Sequence, residues 1–322
     1  MKRGIVCVAA LCAAGAQAQN RWADEAVPLY STAAWVQAFE RHAQAPAAAR
    51  FDAATGALAQ ALAPDCGHAR AAWTAALNRW ATLSAVPTGA LVSRRSARQI
   101  DFVPTRPERI RSAIEQDQTA DAAGSAARGL PALEWLLWTD PAPKGADCAF
   151  TRRLAAHLHA EAQAIAAETL PQDDEAAADR AEDLLNQWLA GAEWLRMTAL
   201  LRPRQEAATR GLPAPLWPRA RSGQDAAERA TRWTALRQLA VRDADTAPDA
   251  AREVVPIESL LRGRGLNPLA DRLLAAARAV DTALPAADQG SIDALAALRR
   301  LVEVDVAAAL NLRVGFSDAD GD

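Results

Sequence analysis

Gly129-Leu130-Pro131-Ala132-Leu133-Glu134-Trp135-Leu136-Leu137-Trp138 carries a single ionisable side chain. A helix that is apolar all round belongs in a core. Leu130, Leu137 and Trp138, at −4, +3 and +4 from Glu134, share its face. An unpaired carboxylate in that setting is strongly disfavoured or takes up a proton, so Glu134 needs a partner or a raised pKa. Arg98, Arg106, Arg109, Arg111 and Arg128 precede it closely and are the candidate partners. Two readings stay open: a Glu–Arg pair that locks helices together, or a ligand-binding or acid–base carboxylate in a cleft.

The chain around this stretch has the same helical character. Alanine makes up roughly a quarter of the 322 residues, apolar residues 51% and charged residues 23%, a globular composition whose core is built from closely packed helices. Five Phe and one Tyr argue against a strand-rich fold, which leaves the ten Trp as the main large anchors. Trp73, Leu77 and Trp80, spaced i, i+4, i+7, line one face of a helix over 67–86. Similar periodicity predicts helices over 28–44, 47–62, 107–118, 131–138, 147–169, 174–201, 224–243, 249–261, 268–284 and 291–310. Pro46 and Pro64 mark breaks, and 87–105 and 203–223 read as connectors. Helices joined by mostly short links predict an all-α protein of two packed, four-helix-bundle-like domains. The expected division is 19–170 and 171–322, at Leu170-Pro171-Gln172-Asp173-Asp174.

Lys2 and Arg3, the apolar run 5–14 and Ala16-Gln17-Ala18 have the form of a secretory signal peptide over 1–18. A periplasmic protein is expected. It should be free rather than lipid-anchored, because Val6 and Leu11 precede Cys7 and Cys12 where a small residue would be required. No later stretch reaches the roughly 20 uncharged apolar residues of a membrane span. Removing Lys2 and Arg3 takes the net charge from −3 to −5, which disfavours nucleic-acid binding. In an exported chain the remaining Cys66 and Cys148 are most simply read as one disulfide; a thiolate metal site would want more Cys or His at short spacing.

Familiar catalytic templates are missing: H-E-x-x-H, G-x-S-x-G, a phosphate loop and C-x-x-C-H are all absent. The histidines are His42, His68, His157 and His159. His157 and His159 project about 200° apart on a helix and cannot clasp one ion, whereas His157 and Glu161 could share one. The ending Gly315-Phe316-Ser317-Asp318-Ala319-Asp320-Gly321-Asp322 alternates carboxylates but lacks the sixth-position Gly and distal Glu of an EF-hand.

Several of these features together resemble the imelysin-like family. They are the signal peptide, the all-helical body, Trp73 and Trp80 in an Ala-rich helix, Phe102-Val103-Pro104, the run from Arg128 and Gly129 to Leu137, and Gly315-Phe316 followed by Asp320-Gly321-Asp322. The resemblance implies a periplasmic or surface protein of two helical bundles, associated with iron acquisition and historically labelled a metallopeptidase. It also implies a motif site at Arg106, Arg128, Gly129, Pro131, Glu134, Gly315, Asp320 and Asp322. The family signature is G-x-H-x-x-E, and Pro131 stands where that His would be. Proline offers no lone pair to a metal, so metal ligation by Glu134 loses its helical companion.

The resulting expectation is a periplasmic binding protein for iron or another divalent metal, with a cleft near Glu134 between the two bundles. Its partner would be a metal ion, a metal chelate or an envelope protein. The alternatives are a metallopeptidase of the imelysin type, which would need an open three-ligand metal site, and a non-catalytic envelope interaction module.

Overall fold

The structure is a computed structural model that describes residues 27–63, 65–168, 177–244 and 246–315. The expected signal peptide, the boundary around Pro171, and Asp320 and Asp322 lie outside these residues. Every regular element among the described residues is helical.

The chain opens with α1 (Thr32–Phe39), capped by the Ser31 hydroxyl, which accepts from the Ala34 N–H at 3.1 Å. It does not break at Pro46 as expected. A π turn over Glu40–Gln44 carries α1 directly into α2 (Ala45–Leu62). A proline ring inside a helix collides with the carbonyl four residues back and removes a hydrogen bond, and the wider π turn just ahead of Pro46 accommodates both defects. Then follow α3 (Arg70–Leu83), the short α4 (Ala90–Ser93) and α5 (Ser96–Ile100), α6 (Pro107–Glu115), α7 (Gly129–Leu137) and α8 (Gly145–Ala166). Next, α9 (Ala177–Arg196) repeats the device: a π turn over Met197–Leu201 leads into α10 (Arg202–Thr209), with Pro203 at its start. The last helices are α11 (Asp225–Ala240), α12 (Ile257–Gly263), α13 (Asn267–Ala283), α14 (Gln289–Leu301) and α15 (Ala307–Leu310). Helix α12 starts at Ile257, after Pro256, rather than at 249, and α4, α5 and α10 occupy stretches that read as connectors.

Two hydrophobic cores organise these helices. One gathers Phe51, Leu58, Trp73, Leu77, Trp80, Leu133, Phe150 and Leu154 from α2, α3, α7 and α8. The other gathers Leu185, Trp188, Leu236, Leu260, Leu273 and Leu295 from α9 and α11 to α14. Trp35, Val36 and Phe39 of α1 also belong to this second core, although their place in the sequence put them with the first bundle. The continuous α1–α2 rod therefore spans both cores.

The halves meet where α11 packs on α3. At Gly191 of α9 a Cβ would overlap the carbonyl oxygen of Ala85, so the absence of a side chain there permits the close approach. Cys66, just before α3, and Cys148 in α8 form the expected disulfide, with Cα atoms 5.8 Å apart. No helix among the described residues is long and apolar enough to cross a membrane.

Candidate functional site

Helix α7 is buried throughout, as its composition requires, and Glu134 is only 2% exposed. Its N-terminal Gly129 has φ +76°, and a Cβ there would overlap the carbonyl oxygen of Ile100. Only glycine supplies both the left-handed backbone and the clearance. That contact sets the end of α5 against the start of α7, and with it Asp101 in relation to Glu134.

The partner of Glu134 comes from the other half of the chain. The turn between α10 and α11 delivers Ser222, whose backbone N–H and hydroxyl both donate to Glu134 Oε1, at 2.9 and 2.7 Å. Arg219, which is 0% exposed, places Nη1 at 3.9 Å from Glu134 Oε2. Its Nε donates to Glu228 Oε2 at 3.0 Å, and its Nη2 donates to Asp101 Oδ1. Arg232 on α11 donates to Asp101 Oδ2 at 3.2 Å and to Glu228 Oε1 at 3.3 Å, and lies 3.8 Å over the Trp194 ring. Trp80 Nε1 completes the set by donating to Asp101 Oδ2 at 3.0 Å. Asp225 accepts from the Arg219 backbone N–H at 2.9 Å. The result is a buried ionic network in which Asp101 and Glu134 from the first half are tied to Arg219, Ser222, Glu228 and Arg232 from the second.

The proton affinities follow from this layout. Burial drives Glu134 above the ordinary glutamate value, and the attraction of Arg219 and the Ser222 hydrogen bonds only partly offset it. Burial would also raise Asp101, but the Arg219 and Arg232 guanidiniums and the Trp80 bond override it and hold the carboxyl below its usual range. Burial likewise works against the charge on Arg219, yet Asp101 and Glu228 keep it firmly protonated. Asp225 is raised by burial despite the bond from Arg219. Glu134 and Asp101 thus shift in opposite directions although both face Arg219.

The arginines nearest in sequence are not the partners of Glu134, which corrects the expected pairing. Arg128 donates to Gln99 and lies 3.6 Å from Asp121, and Arg106 is exposed at the start of α6. Gly315 donates its N–H to Asn186 Oδ1 on α9 at 3.3 Å, apart from the Glu134 network. Pro131 is buried inside α7. His157 faces Asp121 at 3.3 Å, while Glu161 is bound by Arg94 and Ser96, so these two do not form a shared ligand pair. His159 faces Asp52 and Thr55.

A bare metal ion does not fit at Glu134. Its Oε1 is occupied by two donors and its Oε2 faces a guanidinium. The carboxylates nearby are charge-balanced by arginines rather than converging on a vacant centre. Among the described residues no group of three or more His, Cys, Asp or Glu could hold a metal.

Arg219, Ser222 and Glu228 were not legible as site residues. The one available signal was the crowding of Arg219, Arg221 and Ser222 beside Gly223 in a Pro-rich connector immediately before a helix.

Comparison with known proteins agrees with this architecture. A solved imelysin-like protein from Psychrobacter arcticum 273-4 superposes with a TM-score of 0.70 at 20% identity, covering 90% of this chain and 100% of its own. A structure from Parabacteroides distasonis ATCC 8503, described as an iron-regulated protein A precursor, gives a TM-score of 0.68 at 15% identity, covering 87% and 95%. No curated protein matches. The Imelysin (Peptidase_M75) family model matches residues 30–321, nearly the whole chain, and the chain therefore belongs to the imelysin family.

Proposed function

We propose that this chain is a periplasmic binding protein serving the acquisition of iron or another metal, with its ligand or partner cleft at the junction of the two halves beside Glu134. The observation that carries this reading is that Glu134 is gripped by Ser222 and Arg219 of the opposite half. A ligand entering there is read by both halves at once, and a carboxyl held above its usual pKa by burial is a common mark of a functional position. Family membership and the iron-regulated structural neighbour support the link to metal. The Cys66–Cys148 bridge suits an oxidising compartment. Since the donor set does not suit a bare ion, the metal arrives as a chelate or on a partner protein.

The test is radio-iron uptake under iron limitation by a strain lacking the protein, complemented with wild type or with Glu134→Ala. Uptake restored by wild type and not by Glu134→Ala is expected. Normal uptake in the uncomplemented strain would overturn the reading, as would chelator-sensitive peptide cleavage by the purified protein.

A further inference from the structure

Beside Glu134 on α7, the Trp135 ring is approached by two guanidiniums. The Arg111 carbon from α6 lies 5.5 Å from the ring centroid, and the Arg221 carbon from the turn before α11 lies 5.6 Å from it. The two charges are therefore no farther apart than the sum of these distances, within the span of one small molecule. Both arginines are exposed, and neither forms an ion pair among the described residues, in contrast to Arg219 and Arg232 close by. The Trp135 residue is 7% exposed, and its indole N–H has no hydrogen-bond partner among the described residues. An orphaned buried donor is a costly feature, and it belongs to a ring approached by two guanidiniums that form no ion pair among the described residues. Arg106 and Arg109 are exposed nearby as well, against the exposed Glu108 and Glu115 of α6, which leaves a small positive excess in a chain that is net negative overall. Such a local excess attracts anions.

We propose that Arg111, Trp135 and Arg221 form a binding site for a small polycarboxylate, free or as the carrier of a metal ion. Guanidinium forks match carboxylates bidentately, and two forks call for a ligand with at least two carboxylates. Arg111 and Trp135 belong to the first half and Arg221 to the second, and Arg221 adjoins the Ser222 that binds Glu134. An occupant therefore bridges the halves at the cleft already assigned to ligand, and the proposal rests on that assignment for its placement. It also answers how a cleft unsuited to a bare cation takes up metal: the chelator's carboxylates are recognised, not the ion.

The experiment is calorimetry on the full mature protein at low ionic strength with citrate as probe, acetate as the one-carboxylate control, and tryptophan fluorescence as a second readout. Citrate is expected to bind one to one. Arg111→Gln or Arg221→Gln should weaken it at least tenfold and the double variant should abolish it, whereas Arg278→Gln on α13 leaves it unchanged. Both arginines are exposed, so the variants should keep their melting temperatures. Absence of citrate binding at millimolar concentration, equal affinity for acetate, or binding indifferent to both arginines would overturn the proposal. Citrate binding without ferric citrate binding would sustain the anion site and sink the metal-acquisition reading. Iron uptake that depends on Glu134 but not on Arg111 or Arg221 would do the reverse.

Discussion

Arg219→Met is the most direct probe of the buried network, because it keeps the length and apolar stem of the side chain while deleting its charge. Arg219 is fully buried and faces three carboxylates: Glu228 at 3.0 Å, Glu134 at 3.9 Å, and Asp101. Without it, Asp101 and Glu228 share the single guanidinium of Arg232, and Glu134 keeps only Ser222. Removing one partner of a buried ion pair typically costs about 3–5 kcal/mol, since the opposite charge is left uncompensated. At about 2–4 °C per kcal/mol for a unit of 150–250 residues, the melting temperature should fall by about 6–20 °C. The deficit should shrink in acid. In the wild type Asp101 has a depressed pKa, so its stabilising contribution is lost as pH falls through that value. In the variant, burial is no longer countered by Arg219, and the raised carboxylates bind protons more readily folded than unfolded, so stability rises as pH falls. Melting followed by circular dichroism at about pH 7.5 and about pH 4.5 separates these terms. A loss below about 1 kcal/mol at the higher pH, or a deficit that does not change with pH, would refute the assignment of Arg219 as the counter-charge of this network.

Glu134→Gln should behave quite differently. The amide oxygen still accepts both Ser222 bonds, and Arg219 retains Asp101 and Glu228, so stability at neutral pH should stay within about 1 kcal/mol of wild type by urea titration. Because the folded-state pKa of Glu134 is raised, wild type gains stability relative to this variant as pH falls from above that pKa toward the ordinary glutamate range, and equilibrium unfolding across mildly acidic pH should show the gap widening. Gly129→Ala adds a Cβ against the Ile100 carbonyl at positive φ and should cost about 2–5 kcal/mol; Gly124→Ala, at φ +71° and ψ 169° with open space around it, should cost only the backbone share of about 1–3 kcal/mol. Breaking the Cys66–Cys148 bridge, whose cysteines are 82 residues apart, should cost roughly 4.5 kcal/mol by loop-closure entropy, and thiol labelling of the unfolded, unreduced protein should find no free thiol at either position.

The all-α fold, most helix positions and the burial of Glu134 were legible from residue order, because these depend on local quantities: alanine content, the 3.6-residue spacing of Trp73, Leu77 and Trp80, and the lone charge in an apolar helix. The disulfide was legible as well, since only two cysteines follow the expected leader. Helix continuity through Pro46 and Pro203 depended on π turns that carry no compositional mark. The counter-charge of Glu134 was decided by tertiary structure alone. Arginines within forty residues were the natural candidates, yet Arg219 and Ser222 lie farther along the chain, in a stretch that reads as a linker. Folding brings that turn against α7 because α11 packs on α3; Gly191 lets α9 close on Ala85 just after α3 at the junction, while Gly129 sets α7 against the end of α5 within the first half. Charge pairing across such a junction obeys distance in space, on which residue spacing places no constraint once the chain has turned back on itself.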